Sequence, residues 1–154
     1  EYDETIRKYL FELKGCYDYE LKDIFLSRFR YELKLKYRNY VIVPFPSSSI
    51  DDELRQFNHV EEIFKVLDLP IIHALKKKFA FKQSDLSKRE REKIGDKIEL
   101  INKNLLTNKK VLIVDDVMTT GSSIKCAISL IKSCNPKSIK VALLARKREF
   151  KKDK

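Results

Sequence analysis

The sequence predicts an α/β fold: a parallel β-sheet flanked by helices. Three observations predict it. Short apolar runs rich in β-branched residues stand at Tyr40–Pro44, Val111–Val114 and Ile139–Ala145, without the polar alternation of a strand that has one wet face. Stretches with apolar residues at helical spacing lie between and before these runs. The 154 residues, 43% hydrophobic and 36% charged, suffice for one buried core, and no apolar run approaches the ~20 residues of a membrane span.

Taken in order, Ile6, Tyr9, Leu10 and Leu13 predict a helix over 5–14, with Gly15 as its stop. Leu21, Ile24, Phe25, Phe29 and Leu33 predict a second over 19–37. Tyr40–Pro44 reads as a buried strand, ended by Pro44-Phe45-Pro46 and three serines. Ser49 or Asp51 is suited to cap the next helix, whose face is Leu54, Phe57, Val60, Ile63, Phe64 and Leu67, and which Pro70 closes. Ile71-Ile72 begins another short strand. Residues 76–97 carry nine Lys and Arg with few apolar anchors and read as a basic arm, a surface hairpin or an exposed helix. A short strand over 98–101 and a polar turn over 107–110 lead into Val111–Val114. Ile124, Ala127, Ile128 and Ile131 mark a helix from Ser122 to Ser133, which Asn135-Pro136 ends before the last strand. The organisation expected is a helical segment over 1–38 packing on the core, the core itself over 39–148, and a basic tail over 149–154.

Three cysteines without C-x-x-C spacing argue against disulfides and a complete zinc site, and for a reducing, cytoplasmic compartment. The net charge of +10 is unevenly spread: +1 over 1–40, −4 over 41–75, +7 over 76–110 and +6 over 111–154. Such concentration suits a polyanionic partner, and equally a well-solvated lysine-rich surface.

The chemistry is concentrated where Val111-Leu-Ile-Val114 delivers Asp115 and Asp116 to a strand's carboxyl end, and Thr119, Thr120, Gly121, Ser122 and Ser123 then open a helix. Ligands of open α/β sheets bind at that end. The hydroxyl-rich loop can turn backbone N–H and side-chain O–H groups toward a phosphate, with the helix dipole behind them. The two carboxylates would repel a phosphate but accept hydrogen bonds from vicinal sugar hydroxyls. Together these features describe a site for ribose 5-phosphate. A turn whose Asp and Thr only cap the helix would explain one such residue, not seven. An Asp-Asp metal site without sugar leaves the phosphate cradle unexplained, and neither G-x-x-x-x-G-K-[ST] nor G-x-G-x-x-G is present.

An apolar strand, Asp-Asp, two residues and Thr-Thr-Gly-x-Ser resemble the phosphoribosyl pyrophosphate (PRPP) motif of type I phosphoribosyltransferases. The rest of the chain resembles the competence-associated ComF family. Arg55-Gln56-Phe57-Asn58 is similar to its Arg-Gly-Phe-Asn, after a Val-Pro-x-Pro loop seen as Val43-Pro44-Phe45-Pro46, and Gln83, Leu86 and Arg91 match its Gln-x-x-Leu-(x)4-Arg. The resemblance spans Tyr2 to Arg146, with Gln56 in place of the usual Gly and Ile94 in place of the usual Asn. It implies a type I phosphoribosyltransferase-like fold with N-terminal helices and the basic arm as a hood. Asp115 and Asp116 would hold the ribose hydroxyls, Thr119 to Ser123 the 5′-phosphate, and Pro46-Ser47-Ser48 would approach the pyrophosphate. Mg²⁺ would come with PRPP. Arg55, Asn58, Gln83 and Arg91 are further family positions. The family's cysteine-rich zinc module is not in the sequence, so zinc is expected only upstream of Glu1.

The activity implied is displacement of pyrophosphate from C1 of PRPP by a nitrogen nucleophile. The alternative is a non-catalytic module that handles single-stranded DNA or senses PRPP, working with competence proteins such as a DNA-uptake helicase. For the DNA role, Lys78-Phe79-Ala80-Phe81-Lys82 can stack bases, although it reads equally as a hydrophobic edge. Of the histidines, His59 is expected at the surface or facing the arm, and His73 in packing. Cys126 and Cys134 read as ordinary helix residues.

Overall fold

In a computed structural model the described residues are 4–15, 19–46, 57–77, 98–118 and 121–146. Tyr40–Pro44 (β1) is buried at every position and pairs in parallel with Lys110–Met118 (β4), from Tyr40↔Lys110 to Pro44↔Val114. On its other side β4 pairs in parallel with Ser138–Arg146 (β5). The order is therefore β1-β4-β5, with β4 central. Its unbroken Val-Leu-Ile-Val run follows from this position, because both faces of a central parallel strand are covered. Val111 and Ile113 face one apolar cluster, and Leu112 and Val114 face the other.

The first cluster is closed by Ser122–Lys132 (α5) through Ile124, Ala127 and Ile131, and by a two-stranded antiparallel hairpin stem. That stem is Leu75–Lys77 (β2) against Ile98–Leu100 (β3), in the register Leu75↔Leu100 to Lys77↔Ile98. The basic stretch starts on β2 at Lys76 and Lys77; residues 78–97, with Gln83, Arg91 and the Phe79-Ala80-Phe81 segment, lie outside the described residues.

The second cluster is closed by the N-terminal helices. Glu4–Gly15 (α1) inserts Leu10 and Leu13, as its periodicity predicts. The continuous helix expected over 19–37 is corrected: it is a 3-10 turn at Tyr19–Leu21, then Lys22–Leu26 (α2), a 3-10 turn at Ser27–Phe29, and Arg30–Tyr37 (α3). Leu26 (φ −121°) and Phe29 (φ −103°) leave helical geometry, and the Ser27 hydroxyl donates back to the Asp23 carbonyl. Turns of 3.0 rather than 3.6 residues rotate the faces. Leu26 is therefore buried, while Ile24 (54% exposed) and Phe29 (50%) look outward.

The next helix, His59–Phe64 (α4), also differs from expectation. Asn58, in extended geometry, caps it by accepting from the Glu61 amide at 3.0 Å; Ser49, Asp51 and Leu54 lie outside the described residues. A 3-10 turn at Lys65–Leu67 and left-handed Asp68 (φ 51°) end the segment two residues before Pro70. The strand expected at Ile71-Ile72 is reduced to one parallel bridge, Ile71↔Ile42. No helix among the described residues is long and apolar enough to cross a membrane.

Candidate functional site

β1 stops opposite Val114, where the Phe45 amide donates to the Val114 carbonyl at 2.8 Å. β4 continues for four more residues, with β5 as its one partner strand among the described residues. Asp115 and Asp116 thus emerge beyond the end of β1, and half-buried Pro46 lies two residues past that strand's last residue. Strand alternation sends the two carboxylates to opposite faces. Asp115 lies half-buried on the side of Val111 and Ile113; Asp116 lies on the side of Leu112 and Val114 and is only 7% exposed. Each carboxylate accepts from the next amide: Asp115 Oδ1 from Asp116 N–H at 2.9 Å, Asp116 Oδ1 from Val117 N–H at 2.5 Å.

Three residues past Met118 the chain turns through Gly121, whose φ of 75° is left-handed. That backbone selects glycine, and a Cβ there would also lie 3.2 Å from the flexible Met118 side chain, which would have to give slightly. Gly121 is also the N-cap of the eleven-residue α5, which rules out either aspartate as that helix's cap. Ser122 and Ser123 form its first turn, where the helix dipole favours an anion and no acidic residue opposes one. Thr119 and Thr120 lie outside the described residues, as do Ser47, Ser48 and Arg55. Among the expected residues, Asp115, Asp116, Gly121, Ser122, Ser123 and Pro46 therefore share one end of the sheet. Asn58 approaches it from α4, as a helix cap.

The site also contains a residue expected elsewhere. His59 is not at the surface: it is 5% exposed, with Nε2 3.0 Å from Asp116 Oδ2. A carboxylate only accepts, so Nε2 carries the proton. The signal lay in helical spacing, since His59 precedes the core residue Ile63 by four positions. His73 is corrected in the opposite sense. It is exposed, with its ring 3.4 Å from Glu61 and its carbonyl accepting from Asn102, and does not pack in the core. Among the described residues no three His, Cys, Asp or Glu side chains gather as a metal site.

The opposite, amino end of the sheet has a different chemistry. The rings of Tyr37 and Tyr40 meet edge to face at 5.5 Å. Lys140 Nζ stands 5.8 Å and 5.4 Å from their centroids, Lys110 5.8 Å from Tyr40, and Lys36 5.5 Å from Tyr37. Beside them runs a groove of about 400 Å³ lined by Lys132, Asn135, Ser138 and Lys140 among others. The chain has no acidic residue between Glu99 and Asp115 or between Asp116 and Glu149, so this end is supplied with cations alone from those segments.

A family model described as phosphoribosyl transferase domain matches residues 60–154. Over 94% of its length the chain is 29% identical to competence protein ComFC of Streptococcus pneumoniae, and over 82% of its length 29% identical to competence protein ComFC of Bacillus subtilis. It spans 65% and 53% of those two proteins, less than two thirds of either. A 43-residue stretch, 28% of the chain, is 51% identical to a fifth of the hypoxanthine-guanine phosphoribosyltransferase of Sus scrofa. In fold, the structure resembles a hypoxanthine phosphoribosyltransferase of Staphylococcus aureus, with a TM-score of 0.53 at 15% identity over 84% of this chain and 65% of that one.

Proposed function

Because the chain belongs to the phosphoribosyl transferase domain family, as a ComF-type member of the type I phosphoribosyltransferase fold, we propose that it binds Mg²⁺-PRPP at the carboxyl end of its sheet. The observation that carries this reading is the succession along one segment: two carboxylates at a strand end, then a left-handed glycine, then the N-terminus of an eleven-residue helix. Asp115 and Asp116 accept from the vicinal ribose hydroxyls. The loop Thr119–Ser123 receives the 5′-phosphate, and Pro46-Ser47-Ser48 borders the pyrophosphate. Bound Mg²⁺ would neutralise the departing pyrophosphate, and it would be held by oxygens of PRPP itself. The protein's share of such a reaction is orientation and fixed charge at C1. Titration calorimetry with Mg²⁺-PRPP tests this. Wild type binds, while Asp115→Ala and Gly121→Val each weaken binding about 10- to 150-fold, as expected for losing charge-assisted hydrogen bonds. Equal affinity in all three proteins overturns the assignment.

A second reading, handling of single-stranded DNA, is favoured by the cationic amino end and its two tyrosines. It fits the competence role named for the ComFC relatives, and it uses the end of the sheet opposite the ribose-phosphate site.

A further inference from the structure

We propose that His59 is the positioning residue of the ribose subsite: it sets the orientation of Asp116 from the far side and thereby gives the site its preference for a sugar with both hydroxyls. The inference rests on the ribose-phosphate reading above and deepens it. The Val117 amide on Oδ1 at 2.5 Å and His59 Nε2 on Oδ2 at 3.0 Å both hold Asp116. The first contact joins neighbours in one strand and moves with it. The second comes from another element 57 residues away, so it ties the carboxylate plane to α4. That helix is firmly seated: Val60, Ile63 and Phe64 are buried in the cluster that also contains Leu112 and Val114 of β4. Its start is fixed by the Asn58 cap immediately before His59.

The pair is almost dry on both sides, which strengthens its hydrogen bond and makes rotation of the carboxylate away from Nε2 costly. Each carboxylate offers about four acceptor positions, so fixing two directions fixes where the others point. A hydroxyl arriving at this end of the sheet meets an oxygen already aimed. A precisely aimed acceptor discriminates between sugars, because one lacking the hydroxyl forgoes a charge-assisted hydrogen bond to this carboxylate. His59 touches no part of the ligand in this arrangement and acts only through Asp116.

The test compares ribose 5-phosphate with its 2-deoxy and 3-deoxy analogues by calorimetry in wild type, His59→Gln and His59→Met, with thermal unfolding of each followed in parallel. Gln can present an amide N–H near the position of Nε2; Met fills similar volume without a donor. In wild type, ribose 5-phosphate is preferred over at least one deoxy analogue by about tenfold or more, consistent with one hydrogen bond to a charged group. His59→Gln keeps that ratio, and His59→Met reduces it to within about twofold while still showing a cooperative transition. A Met variant that keeps the wild-type ratio overturns the positioning role, as does a Gln variant that loses it while folded. If wild type binds none of the three sugar phosphates, the ribose-phosphate reading itself falls and the inference with it.

Discussion

Tyr40 illustrates how much one side chain can carry. It opens β1, yet its phenol oxygen accepts from the Ser138 hydroxyl at 3.3 Å and lies among Lys140 and Lys110. The Ser138 hydrogen bond first, and then the charges of Lys140 and Lys110, hold its ionisation below the usual tyrosine range, against the opposing effect of burial. The folded state thus releases this proton more readily than the unfolded one. The stabilisation is present above the unfolded value near 10 and lost as pH falls through the lower folded value. The denaturation midpoint of wild type relative to Tyr40→Phe should therefore rise as pH rises toward the unfolded value near 10, and ultraviolet titration should show this tyrosinate forming below the usual range. A flat difference would refute the lysine-assisted phenolate. The sequence marks Tyr40 only as a strand residue, because its partners Ser138 and Lys140 are about 100 positions away and meet it only through β4. The aspartates and Gly121 were legible for the opposite reason: they are adjacent in the chain, so their spacing is their geometry.

At the scale of elements, local consistency decided what could be read in advance. The three strands of the main sheet, α1 and α5 follow from runs whose propensity and burial agree. The 19–37 segment did not, because its apolar residues fit one continuous helix and only the departures at Leu26 and Phe29 reveal that packing divides it. Helix α4 depends strongly on its N-cap. It has six residues, too few to persist without tertiary support, and Asn58 satisfies one of its orphan amides. Asn58→Ala should lower stability by about 1 kcal/mol in urea unfolding, and Asn58→Asp should restore most of it. Because His59 follows directly, the alanine variant should also weaken ribose 5-phosphate binding, whereas a cap that served stability alone would leave affinity unchanged.

Considered whole, the described residues set different charges at the two ends of β4. Acids gather at the carboxyl end of β4; lysines gather at the amino ends of β4 and β5, where the Lys137 amide bonds the Lys109 carbonyl at 2.8 Å. If single-stranded DNA uses the cationic end, the slope of log affinity against log salt should change by about 0.7 for each phosphate neutralised. Reversing Lys110, Lys137 and Lys140 to Glu should flatten that slope by about 2, measured by fluorescence anisotropy, whereas Asp115→Asn should leave it in place. A slope indifferent to the three reversals would exclude this end as the DNA surface. The same strand order has a consequence for how the protein comes into being. Tyr40 pairs with Lys110, so β1 leaves the ribosome about 70 residues ahead of the strand that completes it, roughly 4 to 14 s at ordinary rates of synthesis. During that interval the N-terminal helices can gather on one side of β1, but its hydrogen-bonding edge has no mate. A nascent chain halted before residue 110 should therefore recruit holdase chaperones that one extended beyond residue 146 releases.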